Sequence, residues 1–241
     1  MKYIYLSLIC LSFIALSLSP RAAAAETAET AQYSLDVKDF KELKVTDNIN
    51  VVYHASTDSA GWVYFSCPPE IGRHLIFTNK NDRLHIQVAT EAVNNPDLPV
   101  LHVYSRVLTK VENDSDSTLR VDINVPVEKF SAKVVGNGTI IIRDIEALNV
   151  DLSISTGCGH IVVNKGSAVK CKISNVGTGP IEAGGLKCEK IKVMMLGTGP
   201  IDCSPVKELS VYGAGSGNVY YSGRPEKISN RSIGVKVQAI E

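Results

Sequence analysis

Neither sign of charge prevails in this sequence: 25 lysines and arginines stand against 25 aspartates and glutamates. A balanced chain lacks the basic field that gathers nucleic acid or an anionic membrane surface, so neither is expected as a partner. No C-x-x-C pair occurs among the six cysteines. No H-x-x-H or H-E-x-x-H occurs among His54, His74, His85, His102 and His160. The local spacings of a zinc centre or a thioredoxin-like motif are therefore missing. G-x-G-x-x-G appears nowhere between a strand and a helix, which removes a dinucleotide site. The apolar run Ile4–Ser19 is interrupted by four serines, too short and too polar to span a bilayer.

What the sequence does have is one short phrase repeated five times. The copies are Gly136-Asn-Gly138-Thr-Ile140, Gly157-Cys-Gly159-His-Ile161, Gly177-Thr-Gly179-Pro-Ile181, Gly197-Thr-Gly199-Pro-Ile201 and Gly215-Ser-Gly217-Asn-Val219. Their second glycines lie 21, 20, 20 and 18 residues apart. A sixth, worn copy precedes them, with Ser115 and Ser117 in place of the glycines and Leu119 21 residues before Ile140. An alternating apolar run comes before each phrase, for example Val150, Leu152, Ile154 and then Cys171, Ile173. Period-two alternation is a half-buried strand. Turn residues follow each phrase, as at Arg143-Asp144 and Gly184-Gly185, leaving no room for a useful helix.

A unit of about 20 residues with corners and no helix is one rung of a coil. The sequence therefore predicts an all-β fold, a right-handed parallel β-helix, with a less regular N-terminal part. Glycine suits stacked corners because it tolerates positive φ and close backbone approach. Ile140, Ile161, Ile181, Ile201 and Val219 are expected to form one inward column.

Taken in order, residues 1–25 read as a signal peptide. Lys2 supplies the positive end, Ile4–Ser19 the apolar stretch and Ala22–Ala25 the small-residue cleavage site. Residues 26–241 are expected to form a single solenoid domain with no membrane span once the signal is cleaved. Within it, 33–110 is irregular and strand-rich, either as wide coils or as a small capping sheet. Residues 111–223 carry the regular repeats, and 224–241 a closing strand. Trp62, Tyr64, Phe65 and Phe77 gather in the irregular part, and His85 and His102 fall at outward positions.

The opening Phe40-Lys-Glu-Leu43-Lys-Val45, the strand Leu84-His-Ile86, the repeats and the closing Gly215-Ser-Gly217-Asn-Val-Tyr-Tyr221 together resemble the auto-transporter adhesin head (GIN) family. The likeness covers roughly 33–241. It implies a parallel β-helix of Gram-negative origin with a periplasmic, outer-surface or secreted role, and it implies no catalytic residues.

Three sets of residues are candidates for chemistry. Cys67, Cys158, Cys171, Cys188 and Cys203 share no repeat position and read as small buried apolar residues, with a structural disulfide the alternative. Cys171 stands in the column of Ile191 and Leu209, so it is expected buried and reduced. Asp114, Asp116 and Asp122 lie close together, with Arg143 one rung from Asp122. β-Helix enzymes that cleave polysaccharides use such acids, but Asn164, Gly184 and Ser204 end the column. No catalytic, cofactor-binding or metal residue is assigned, and no cofactor is expected. The leading expectation is a non-enzymatic, adhesin-like binding module facing a protein or glycan at the cell surface. The alternative is a polysaccharide lyase or hydrolase on the same scaffold.

Overall fold

The computed structural model describes residues 30–240, so the expected signal peptide lies outside the described residues. The chain is 61% strand and 3% helix, wound as a β-solenoid whose rungs are about 20 residues apart. Its first strands are β1 (Ala31–Asp36), β2 (Glu42–Thr46), β3 (Val51–Ala55), β4 (Trp62–Cys67), β5 (Leu75–Lys80), β6 (Arg83–Val88) and β7 (Leu101–Ser105). The regular rungs begin with β8 (Lys110–Asp114), β9 (Thr118–Asp122), β10 (Val127–Val134), β11 (Thr139–Ile142), β12 (Ile145–Ile154) and β13 (His160–Val163). They continue through β14 (Gly166–Asn175), β15 (Ile181–Met195), β16 (Ile201–Ala214), β17 (Asn218–Tyr221), β18 (Lys227–Ile233) and β19 (Lys236–Ala239).

Each regular rung has two long faces joined by the glycine phrase. The first face stacks β8, β10, β12, β14, the later parts of β15 and β16, and β18, all parallel. The second stacks β9, β11, β13, the starts of β15 and β16, then β17 and β19. A short third face appears where two neighbouring residues both turn outward, at Leu148-Asn149 and Val169-Lys170. The expected column is present: Ile140, Ile161, Ile181, Ile201 and Val219 pair in succession, Leu119 precedes them, and each is fully buried. Val51 extends it at one end and Val237 at the other. Leu119 in this column fixes Ser115-Asp-Ser117 as the sixth corner.

The glycines of the phrases meet two separate constraints, positive φ at some positions and close backbone approach at most. Gly136 and Gly157 hold φ of 96° and 75°, where an L side chain is strained. From Gly157 onward both glycines of each phrase also meet the backbone of the rung below. A Cβ on Gly179 would overlap the carbonyl oxygen of Gly159 in the rung below. Buried asparagines lock the same corners from inside. Asn175 donates to the Gly179 and Gly199 carbonyls at 2.9 and 3.2 Å, and Asn113 donates to those of Ser117 and Thr139 at 2.8 and 3.0 Å. The amides give these corner carbonyls side-chain partners inside the core, where polar groups need them.

The N-terminal part holds both regular rungs and a cap, and its rung order is not the chain order. β2 and β3 lie between β6 and β7 on one side and β8 and β9 on the other. The chain lays the inner rung first, leaves through β4 and β5, returns as the outer rung, then steps past β2 and β3. The cap is antiparallel: β1 on β4, β4 on β7, and β5 on β6. Antiparallel closure covers strand edges that a parallel coil would leave open. At the other end, 224–240 is a further rung of two strands rather than one closing strand, with β18 on β16 and β19 on β17. Lys227–Ile233 lacks apolar alternation and is held by its ladder to β16. Gly234, at φ 80°, occupies its corner beside the carbonyl of Gly215.

Cys67, Cys171, Cys188 and Cys203 are buried free thiols, while Cys158 is exposed on a corner and contacts the Asn137 side-chain oxygen at 3.0 Å. Cys171 pairs in register with Ile191, and Ile191 with Leu209, as its column requires. A contact with Cys188, then burial, raises the Cys171 thiol well above its ordinary pKa. Burial, then the charge of Asp202, pushes Cys203 up to about 12.

Two measurements check this account. Gly179→Ala is expected to cost about 3 kcal/mol, the upper range for overpacking. Gly136→Ala, whose Cβ meets nothing nearer than 3.8 Å, is expected to cost about 1 kcal/mol through its positive φ alone. Equal costs in denaturant titrations would remove carbonyl approach as the corner constraint. In the folded domain a disulfide reagent is expected to label Cys158 rapidly and the four buried thiols only after denaturation. Rapid labelling of Cys171 in the native protein contradicts the register.

A candidate ligand-binding shelf

Outward residues of the second face change character along the rod. Over the cap they are aromatic. On β4, Val63, Phe65 and Cys67 point inward and Trp62 and Tyr64 outward. On β7, Leu101 and Val103 point inward and His102 and Tyr104 outward, and on β3 Val51 and Tyr53 leave His54 outside. Antiparallel pairing sets Tyr64 opposite His102, and parallel pairing sets His54 opposite Tyr104.

The rings make a continuous surface. Trp62 and Tyr64 stack at 6.1 Å, Tyr64 meets Tyr104 edge-on at 5.5 Å, and Tyr104 stacks on His54 at 4.8 Å. His54 lies 5.5 Å from His102, ring to ring, with a nitrogen contact of 3.2 Å. Burial, then the neighbouring charge of His102, lowers the His54 pKa, while Asp122 opposes them. Beside the rings, Asp122 lies in register with His54 and Arg120 with Val52. A groove of about 420 Å³ opens along the shelf between Ser34, Tyr64, Ser66 and His102. Flat rings beside fixed polar groups form a surface on which a ring-shaped ligand can stack and be oriented by hydrogen bonds.

Comparison with known proteins bears on what this surface serves. Residues 39–225 match the family described as "Putative auto-transporter adhesin, head GIN domain". The chain belongs to this family. No curated protein matches. Among solved structures, a putative adhesin from Bacteroides fragilis covers 88% of this chain and 97% of its own, at 20% identity and a TM-score of 0.78. A putative lipid binding protein from Parabacteroides distasonis covers 89% and 98% at 19% identity and a TM-score of 0.68. A putative adhesin from the same species covers 89% and 98% at 22% identity and 0.67. At these identities the likeness is one of fold.

In this member of the family the three acids singled out in the sequence do not meet. Asp114 lies on the first face and pairs with Lys44 at 3.2 Å. Asp116 sits in a corner, held by Asn137 at 3.1 Å. Asp122 lies on the second face and pairs with exposed Arg143 at 2.9 Å, an ion pair worth at most about 1 kcal/mol. Among the described residues no group of His, Cys, Asp and Glu is placed to hold a metal ion.

Strand parity could have marked Trp62, Tyr64, His102 and Tyr104 as outward. Nothing local could have put β4 beside β7. Phe65 and Phe77 part from the shelf and stack inside at 6.1 Å, with Tyr33 on Phe65 at 4.8 Å.

The lowered His54 pKa carries a sign. The unfolded chain, at an ordinary imidazole pKa of about 6.5, takes up protons that folded His54 resists. Stability is therefore lost as pH falls below about 6.5. His85, also lowered chiefly by burial, acts in the same direction. The melting temperature is expected to fall between pH 7.5 and 5, and to fall less in His54→Gln; equal losses would contradict this assignment.

Proposed function

We propose that this chain is an exported, non-enzymatic binding module that holds a glycan at the cell surface on its aromatic shelf. The observation that carries the reading is the contiguous array of Trp62, Tyr64, Tyr104, His54 and His102 on the outer side of the second face. A contiguous row of half-buried and exposed rings on the outer side of a fold built to bury apolar groups points to a partner. Sugar rings present C–H faces to such platforms and hydroxyls to neighbours such as Arg120 and Asp122. Family membership supports an adhesin-like role. The apolar segment of residues 1–25 supports export.

Dispersal of Asp114, Asp116 and Asp122 over different faces favours binding over polysaccharide cleavage, which needs converging groups. One observation favours another ligand. Exposed Leu148, Val169 and Val206 line a groove of about 700 Å³ on the third face, and an apolar chain could lie there.

A glycan array followed by calorimetry on the best ligand tests the shelf. Trp62→Ala and Tyr104→Ala are each expected to weaken binding roughly tenfold, the scale of one lost stacking contact. Three results would count against the proposal. They are undiminished affinity in both variants, uptake of an apolar dye blocked by the ligand at Val169, and release of reducing ends that stops in Asp122→Ala.

A further inference from the structure

The first face carries a second surface of different chemistry. Lys170 pairs in register with Lys190 and Lys172 with Lys192, so four exposed lysines form a two-by-two grid on β14 and β15. Strand spacing and side-chain repeat make the grid about 5 by 7 Å at its base. Like charges directly opposite one another destabilise a sheet. Elsewhere on this face Lys44 pairs with Glu112 and Asp114, Lys110 with Glu42, and Lys129 with Asp151.

The grid has acids beside it, but they are engaged elsewhere. Asp151 stands in register with Lys172 yet pairs with Lys129 at 3.2 Å on its far side. Glu208 stands in register with Lys190 yet pairs with Lys227 at 3.2 Å on its far side. Among the described residues no carboxylate forms an ion pair with any of the four lysines. Lys192 instead lies over the Tyr212 ring at 4.8 Å. A hollow of about 470 Å³ lies over the grid, with Asn149 and Ser210 at its margins as neutral hydrogen-bonding groups.

We propose that Lys170, Lys172, Lys190 and Lys192 form a binding site for an anionic group, sulfate or carboxylate, carried on a saccharide. Compact ammonium groups suit such oxyanions as point charges. The small grid and its flanking acids choose the carrier. A membrane surface or nucleic acid backbone would press anions onto Asp151 and Glu208 as well, whereas a saccharide with spaced charges can place one over the grid. The saccharide carrier rests on the reading of this module as a glycan binder. The anion chemistry stands on the lysines alone.

The test titrates the folded domain at low and moderate salt with a sulfated tetrasaccharide, a glucuronate oligosaccharide, a neutral glucan of equal length, inorganic sulfate and a DNA oligonucleotide. A charged saccharide is expected to bind and to weaken as salt rises. The double variant K172Q/K190Q is expected to bind it about tenfold less tightly or worse. Asp151→Asn, which removes a nearby negative charge, is expected to tighten binding. Because the lysines are exposed and the double variant relieves both opposed pairs, K172Q/K190Q should melt no lower than the parent, which separates lost binding from lost fold. Undiminished binding in K172Q/K190Q overturns the site. Equal binding of neutral glucan overturns the charge chemistry, and equal or tighter binding of sulfate alone or DNA overturns the saccharide carrier. Loss of binding in Trp62→Ala with K172Q/K190Q unaffected would return all recognition to the shelf.

Discussion

Close stacking of backbone on backbone at the corner is the constraint from which the rest of this structure follows. The carbonyl oxygen of Gly159 occupies the space that a side chain at residue 179 would need. At residue 179 only glycine lets the corner close at one strand spacing, and once it closes the register of both flanking strands is set. The pairing of Ile161 with Ile181 and of Cys171 with Ile191 follows from that register. Asn175 adds a second fastening from inside, its amide shared between the carbonyls of Gly179 and Gly199. Where serines replace the glycines at 115 and 117, a local hydroxyl network with Asn113 supplies the fastening, with contacts of 2.6 Å.

A corner held by backbone geometry frees the outer faces. Inward positions must be apolar and of fitting size, because each is enclosed by the rungs above and below. Outward positions have no such duty, and register turns them into rows. One row becomes aromatic, from Trp62 and Tyr64 to Tyr104 and His54. Another becomes cationic, from Lys170 to Lys190. Each surface is assembled from residues far apart in sequence at distances the ladder fixes. This is how a repeat fold carries recognition without an enclosed pocket. The family's description as a putative adhesin fits a solenoid with such outer faces.

The ends of the rod obey another requirement. Parallel strands at a terminus expose a row of unpaired backbone groups, and the N-terminal end covers them with antiparallel β1, β4 and β5. The same strands bring Trp62 and Tyr64 to the shelf, so the cap that protects the coil also builds the candidate site. His54 lies where the cap meets the first rungs, and its depressed pKa reflects that partial burial.

Much of this was legible in the amino acids. Five glycine phrases at nearly constant spacing determine rungs of about 20 residues, and period-two alternation determines which of Val150, Leu152 and Cys171 turn inward. Those signals are local or strictly periodic, so one sequence suffices to read them. The placement of β2 and β3 inside the outer rung formed by β6 and β7 was not legible. Alternation identifies a strand and its buried face, but not which strand it will lie beside. The rung built by Lys227–Ile233 was hidden for a related reason, since it is held by backbone hydrogen bonds and carries almost no apolar pattern. The shelf and the lysine grid needed the ladder itself. Tyr64 and His102, or Asp151 and Lys172, become neighbours only when strands pair, and the free charge of the grid emerges only when Asp151 and Glu208 are seen bound to lysines on their far sides. Sequence determined the rung, its period and its interior. Tertiary pairing decided the order of the first rungs and every surface on which something could bind, because pairing brings together residues that the chain itself keeps apart.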